Sequence, residues 1–203
     1  MGKGSKGNRC GRQGKESTPR VYVVDDEADV RECLHELFTS VGWRVQVAGT
    51  AERLLSFLDP DDCGVALVDL RLPGMSGLQL QSQLRRSHPW LEAIVMTGHR
   101  DAMATVQAMK AGAFDVIFKP FSNEMLLSTA REAWVASRRK MEVEQRRQTM
   151  RRRFEALAPG ERRILPWLAA GYPTKQVASH LDTTQKAVEA SRGRIRRKIG
   201  VES

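Results

Sequence analysis

The chain of 203 residues has room for one large domain or two small ones. Its 33 lysines and arginines outnumber 24 acids, giving a formal charge of +9, but unevenly: residues 138–203 carry seventeen cations against seven acids, whereas residues 21–137 carry ten against sixteen. No apolar run approaches the roughly 20 residues of a spanning helix, so no membrane association is expected, and Cys10, Cys33 and Cys63 show neither metal-ligand spacing nor a disulfide framework, which fits a cytoplasmic protein.

Residues 1–19 are rich in Gly, Lys and Arg and lack the apolar segment of a signal peptide. Lys6 stands where myristoylation wants Ser or Thr, and Glu16 follows Gly14-Lys15 where a phosphate loop wants a hydroxyl. The segment reads as a disordered basic tail.

Five short apolar runs follow, each a predicted strand: Val21–Val24, Arg44–Val47, Val65–Val68, Ala93–Met96 and Val116–Phe118. Helical spacing predicts a helix over Glu27–Val41, with Val30, Leu34, Leu37, Phe38 and Val41 on its inner face and Cys33 as a small core residue. Thr50 caps a helix over Ala51–Leu58, a third runs from Ser76 to His88, a fourth from an Asp101 cap to Ala111, and Ser122 caps a fifth from Asn123 to about Ser137. This strand–helix alternation predicts an α/β fold with a doubly wound parallel sheet over residues 20–137.

Four of the five runs end on residues that handle phosphate and metal: Asp25-Asp26, Asp69, Thr97 and Lys119. In an open parallel sheet, ligands bind beyond the carboxyl ends of the strands. Three carboxylates, a hydroxyl and an ammonium would therefore meet in one place. A carboxylate can take a phosphoryl group as an acyl phosphate, and Asp69 is the predicted nucleophile. Crowded carboxylates call for a cation, and Mg²⁺ prefers such oxygen ligands.

The order of these residues, with Asp69-Leu70-Arg71-Leu72-Pro73-Gly74-Met75-Ser76-Gly77 and Met109-Lys110-Ala111-Gly112-Ala113, resembles the receiver domains of two-component response regulators. Thr97-Gly98-His99 makes it most similar to FixJ-type receivers. The resemblance implies a flavodoxin-like five-stranded sheet and phosphorylation of Asp69 by a sensor histidine kinase. It implies Mg²⁺ held by Asp26, Asp69 and the Arg71 carbonyl, with Asp25 acting largely through water. Thr97 and Lys119 would contact the phosphoryl group, and Lys119-Pro120 would be cis. The family's aromatic switch position holds Val116, with Phe114 and Phe118 placed on the same face by strand periodicity.

Residues 138–153 read as a helical linker continuing the fifth helix. Beyond it, residues 154–203 predict three helices, Gly160–Ala170, Thr174–Leu181 and a Thr184-capped helix to Ile199. Two short helices around a tight turn, followed by a basic helix, suggest a small all-α helix-turn-helix unit for double-stranded DNA. With Val188 inward, Ile195 and Ile199 share its face, and Lys186, Glu189, Ala190, Gly193, Arg194 and Arg197 point outward.

Leu157, Glu161, Ile164, Leu165, Gly171, Lys175, Val177, Ala178, Leu181, Val188, Glu189 and Lys198-Ile199-Gly200-Val201 make this segment similar to LuxR-type output domains. That resemblance implies base-facing positions at Glu189, Ala190 and Gly193, beside phosphate-contact candidates Arg192, Arg196, Arg197 and Lys198. Pro166, Asp182 and Ser191 depart from the family pattern. The family usually continues into a fourth helix that pairs subunits. Because this sequence stops at Ser203, the expectation is a homodimer formed through the receiver on phosphorylation. The reading is a phosphorylation-responsive transcriptional regulator that is no metabolic enzyme. Its alternatives are a DNA-binding regulator uncoupled from phosphorylation, and an Asp-nucleophile phosphohydrolase, against which Arg71 stands where a second Asp is usual.

Overall fold

The structure, a computed structural model, describes residues 18–98 and 102–200. Residues 1–17 of the basic tail, with Cys10, and also His99, Asp101 and Val201 lie outside the described residues. The chain forms two units, divided after Met141.

The first unit is a parallel sheet of β1 (Arg20–Val24), β2 (Arg44–Ala48), β3 (Gly64–Asp69), β4 (Leu91–Thr97) and β5 (Asp115–Phe118), in the order β2-β1-β3-β4-β5. Every pairing is parallel, with Val24 opposite Val68, Asp69 opposite Met96 and Thr97 opposite Phe118. The central strands read as continuous apolar runs because both faces are covered. On one face Val23, Leu67, Ile94 and Ile117 pack against Leu34 and Phe38 of α1 (Ala28–Ser40) and Leu126, Ala130 and Trp134 of α5 (Asn123–Glu155). On the other, Tyr22, Val24, Ala66 and Val68 meet Ala51 and Leu54 of α2 (Ala51–Leu55) and Leu80 and Leu84 of α3 (Gly77–Ser87). A smaller cluster joins Val95 and Val116 to Ala108 of α4 (Ala102–Ala111) and Ala113. Truncating a fully buried side chain here, as in Leu67→Ala, would cost about 2–5 kcal/mol.

The caps follow the sequence reading. Thr50 accepts from the Arg53 N–H at 3.2 Å, and Ser76 forms a reciprocal capping box with Gln79. Four expectations need correction. Helix α2 stops at Leu55, not Leu58, because the Phe57 N–H turns to the Leu54 carbonyl and tightens the chain. Cys33 is exposed, since it lies about 100° round α1 from Leu34. Val41 is a C-cap residue outside the helix and is exposed. Phe114 precedes β5 and packs in the Ile117 cluster, on the face opposite Val116.

Helix α5 runs unbroken to Glu155, and the first unit keeps hold of it past Ser137: Met141 is buried in the core and Lys140 pairs with Glu92 at 2.5 Å. The second unit contains α6 (Pro159–Ala169), α7 (Thr174–His180) and α8 (Gln185–Ile199) around Leu157, Ile164, Val177, Val188 and Ile195. Pro166 sits inside α6 and supplies no backbone donor. The α7–α8 turn passes through Asp182 at φ 50, left-handed backbone that strongly favours Gly. Thr184 caps α8, and Gly200 closes it in the left-handed conformation.

Candidate functional site

The strand order reverses between β1 and β3, and the crevice beyond their carboxyl ends is where such sheets bind ligands. Asp25 follows β1 there and Asp69 ends β3. Lys119, just after β5, reaches back across β4. Its Nζ donates to Asp25 Oδ2 and to Asp69 Oδ1, each at 2.7 Å. Its backbone N–H donates to the Thr97 carbonyl at 2.8 Å, which ties the two strand ends together. Asp25 is fully buried, and Asp69 and Thr97 are nearly so. The Lys119-Pro120 bond is cis.

These contacts set the charge state. Burial lowers the pKa of the Lys119 ammonium, but its hydrogen bonds to Asp25 and Asp69 outweigh that effect, and the pKa is raised. Asp25 Oδ1 accepts from the Glu27 N–H at 3.0 Å, and Asp69 Oδ2 from the Arg71 N–H at 2.6 Å. Asp25, Asp69, Thr97 and Lys119 are thus brought together, while Asp26 lies exposed beside them.

The donor set of carboxylates and carbonyls suits a hard, oxygen-seeking cation such as Mg²⁺. Among the described residues no cluster of three acidic, His or Cys side chains is arranged around a common point for an ion. The Lys119 ammonium spans Asp25 and Asp69.

Arg31 has no place in the sequence reading but belongs to this site. Its Nη1 donates to the carbonyls of Asp25 at 2.7 Å and Asp26 at 2.9 Å, fixing the acidic loop from α1. A cation one turn into the helix after an acidic pair was the available signal.

In the second unit, Lys186, Glu189, Ala190, Arg192, Gly193, Arg196 and Arg197 are all exposed on α8, as expected. Space around Gly193 is open, with nothing within 4 Å of an added Cβ. Arg194 and Lys198 are also exposed in part, but both fold back onto Glu161 of α6, at 3.1 and 2.7 Å. Ser191 is buried and accepts from Arg194.

A switch-point aspartate facing a lysine in one unit, and a helix-turn-helix with a basic last helix in the other, define a class of regulator that receives a signal in one unit and meets DNA with the other. Residues 21–131 match the response regulator receiver domain family, and residues 155–203 match the luxR family of bacterial regulatory proteins. The chain is 36% identical to nodulation protein W of Bradyrhizobium diazoefficiens over 183 residues, covering 90% of this chain and 81% of that one. It is 36% identical to the transcriptional regulatory protein FixJ of Rhizobium meliloti over 186 residues, covering 90% of each. The solved structure of response regulator StyR superposes with a TM-score of 0.85 at 32% identity, covering 92% of this chain and 94% of that one. The chain belongs to the two-component response regulators, as a phosphorylation-responsive regulator of transcription with a receiver and a LuxR-type helix-turn-helix domain.

Proposed function

We propose that Asp69 accepts the phosphoryl group and that this event controls DNA binding through α8. The observation that carries the reading is the Lys119 ammonium, 2.7 Å from both Asp25 and Asp69 at the carboxyl edge of the sheet. A carboxylate oxygen of Asp69 attacks the phosphorus of a phosphohistidine on a sensor kinase. The new P–O bond forms as the P–N bond breaks, and the imidazole leaves with the electron pair. Lys119 transfers its interaction to a phosphoryl oxygen, and the Thr97 hydroxyl contacts a second. Arg31 keeps the acidic loop in place meanwhile. Mg²⁺, held by Asp26, Asp69 and the Arg71 carbonyl with Asp25 through water, would offset the charge on the phosphoryl oxygens. The chain promotes only its own phosphotransfer.

The proposed domains are a basic tail at 1–19, a receiver at 20–137, a linker at 138–153 and an output domain at 154–203. Exposed Val106 and Met109 on α4, with Met125 and Val135 on α5, support pairing of two receivers upon phosphorylation. Among the described residues no helix is long and apolar enough to cross a membrane. The DNA-binding role supports a cytoplasmic location. Incubation with acetyl phosphate and Mg²⁺ tests the assignment. One phosphoryl group should be added, and Asp69→Asn should abolish it. Undiminished labelling of that variant would remove Asp69 from its role.

A further inference from the structure

Glu161, in the first turn of α6, is 3% exposed, yet it carries a charge. Its Oε2 accepts from the Ala158 backbone N–H at 2.9 Å and from Lys198 Nζ at 2.7 Å. Its Oε1 accepts from Arg194 Nε at 3.1 Å, and the same guanidinium donates to Ser191 Oγ at 2.9 Å. Arg194 and Lys198 are four residues apart, so they project from one face of α8 onto one carboxylate. The other cations of α8, Lys186, Arg192, Arg196 and Arg197, are exposed and make no ion pair among the described residues.

We propose that Glu161 is a positioning residue that withdraws Arg194 and Lys198 from DNA, so that only the remaining cations of α8 are free to contact phosphates. The proposal rests on α8 being the DNA-facing helix. For Arg194 or Lys198 to reach a phosphate, a buried carboxylate must lose its partner, and an uncompensated buried charge is costly. A solvated phosphate offers no matching gain, because the cation only exchanges one anion for another. The Lys198 and Ala158 hydrogen bonds hold the Glu161 carboxyl down to about 2, so the clamp is charged throughout the working pH range. The consequence is a smaller sequence-independent contribution to affinity, which widens the margin between specific and non-specific sites.

The test is the salt dependence of binding by the full chain to a duplex of arbitrary sequence, read by fluorescence anisotropy across a KCl series. Each neutralised phosphate contributes about −0.9 to the slope of log K against log salt. Glu161→Gln should keep the Ala158 contact while freeing both cations, and steepen the slope by up to about 1.8. Arg194→Ala should then flatten the slope by about 0.9 in the Glu161→Gln background, and by less than a third of that when Glu161 is present. A purely structural Glu161 would lower thermal stability and leave the slope unchanged; that result overturns the proposal. So does an Arg194→Ala effect of the same size in both backgrounds. If Glu161→Gln fails to fold, Arg194→Ala and Lys198→Ala in the otherwise unaltered chain decide: a loss of about 0.9 in slope for either one overturns the clamp, and a markedly smaller loss for both supports it. Salt-independent binding by the unaltered chain would remove the DNA-contact reading itself, and the clamp with it.

Discussion

Gly77 lies so close to the Asp69 carbonyl that a Cβ there would fall 2.2 Å from the oxygen. The first residue of α3 is therefore packed against the backbone of the residue that carries the chemistry, and its N–H also donates to the Leu70 carbonyl at 3.2 Å. Gly77→Ala must push the β3–α3 turn away from the sheet. We expect a destabilisation of about 1–3 kcal/mol and slower phosphorylation of Asp69. Urea unfolding and acetyl phosphate labelling measure the two effects, and unaltered rates would show that the turn can move without disturbing the site.

Asp182 makes the opposite prediction. Left-handed backbone costs a non-glycine residue about 1–2 kcal/mol, less for Asp because its side chain bonds locally. Glycine removes that cost but loses more entropy on folding. Asp182→Gly should leave a net stabilisation of up to about 1 kcal/mol in the second unit. Trp167 packs against that unit's core and gives a fluorescence signal for its unfolding. A lower midpoint in the variant would show that the Asp182 side chain contributes more than its backbone strain costs.

Acid should weaken the second unit through Glu161. Its pKa is lowered from the ordinary 4.5 to about 2. A lowered folded-state pKa contributes stability that is fully present above pH 4.5 and is lost as the pH falls toward 2. The stability difference between the unaltered chain and Glu161→Gln should therefore shrink across that window. A difference that stays constant from neutral pH to pH 2 would contradict it.

Val116 fills part of the small cluster with Val95, Ala108 and Ala113 that faces α4. Without a ring there, phosphorylation should shift DNA affinity by less than the roughly 5–150-fold typical of allosteric coupling. Val116→Tyr should enlarge the shift. Titration of DNA with and without a phosphoryl mimic decides; a large shift in the unaltered chain would show that another route carries the signal, and Phe118 is next to test.

Much of this was written plainly in the sequence. Val21–Val24 and Val65–Val68 announce strands covered on both faces because their apolar runs are unbroken, and Thr50, Ser76 and Thr184 mark helix starts through hydroxyls that bond the third following N–H. Asp69 and Lys119 stand out because each ends an apolar run on a charge. What stayed hidden depends on contacts distant in the chain. The fold-back of Arg194 and Lys198 onto Glu161 spans more than thirty residues, and helix periodicity describes a direction, not a partner. Phe114 obeys strand alternation only if the strand includes it; the strand starts at Asp115, so its ring goes the other way. Arg31 acts on backbone carbonyls, so its place one turn after the acidic pair was a signal that a reading of side-chain pairs passes over.

The hydroxyl of Ser137 receives the Gly64 N–H at 3.0 Å and donates to the Trp90 carbonyl at 2.5 Å. One buried oxygen thus pins α5 to the root of β3 and to the loop entering β4. Hydrogen bonds weaken steeply with distance and angle, so this pin has a short travel. A helix α5 that slides along the sheet gives up both of these bonds at once, while the Gly64 N–H keeps the Trp90 carbonyl, at 3.3 Å, as its partner. Ser137 therefore gives the long helix a detent, and any displacement of α5 driven from the receiver would occur as a click.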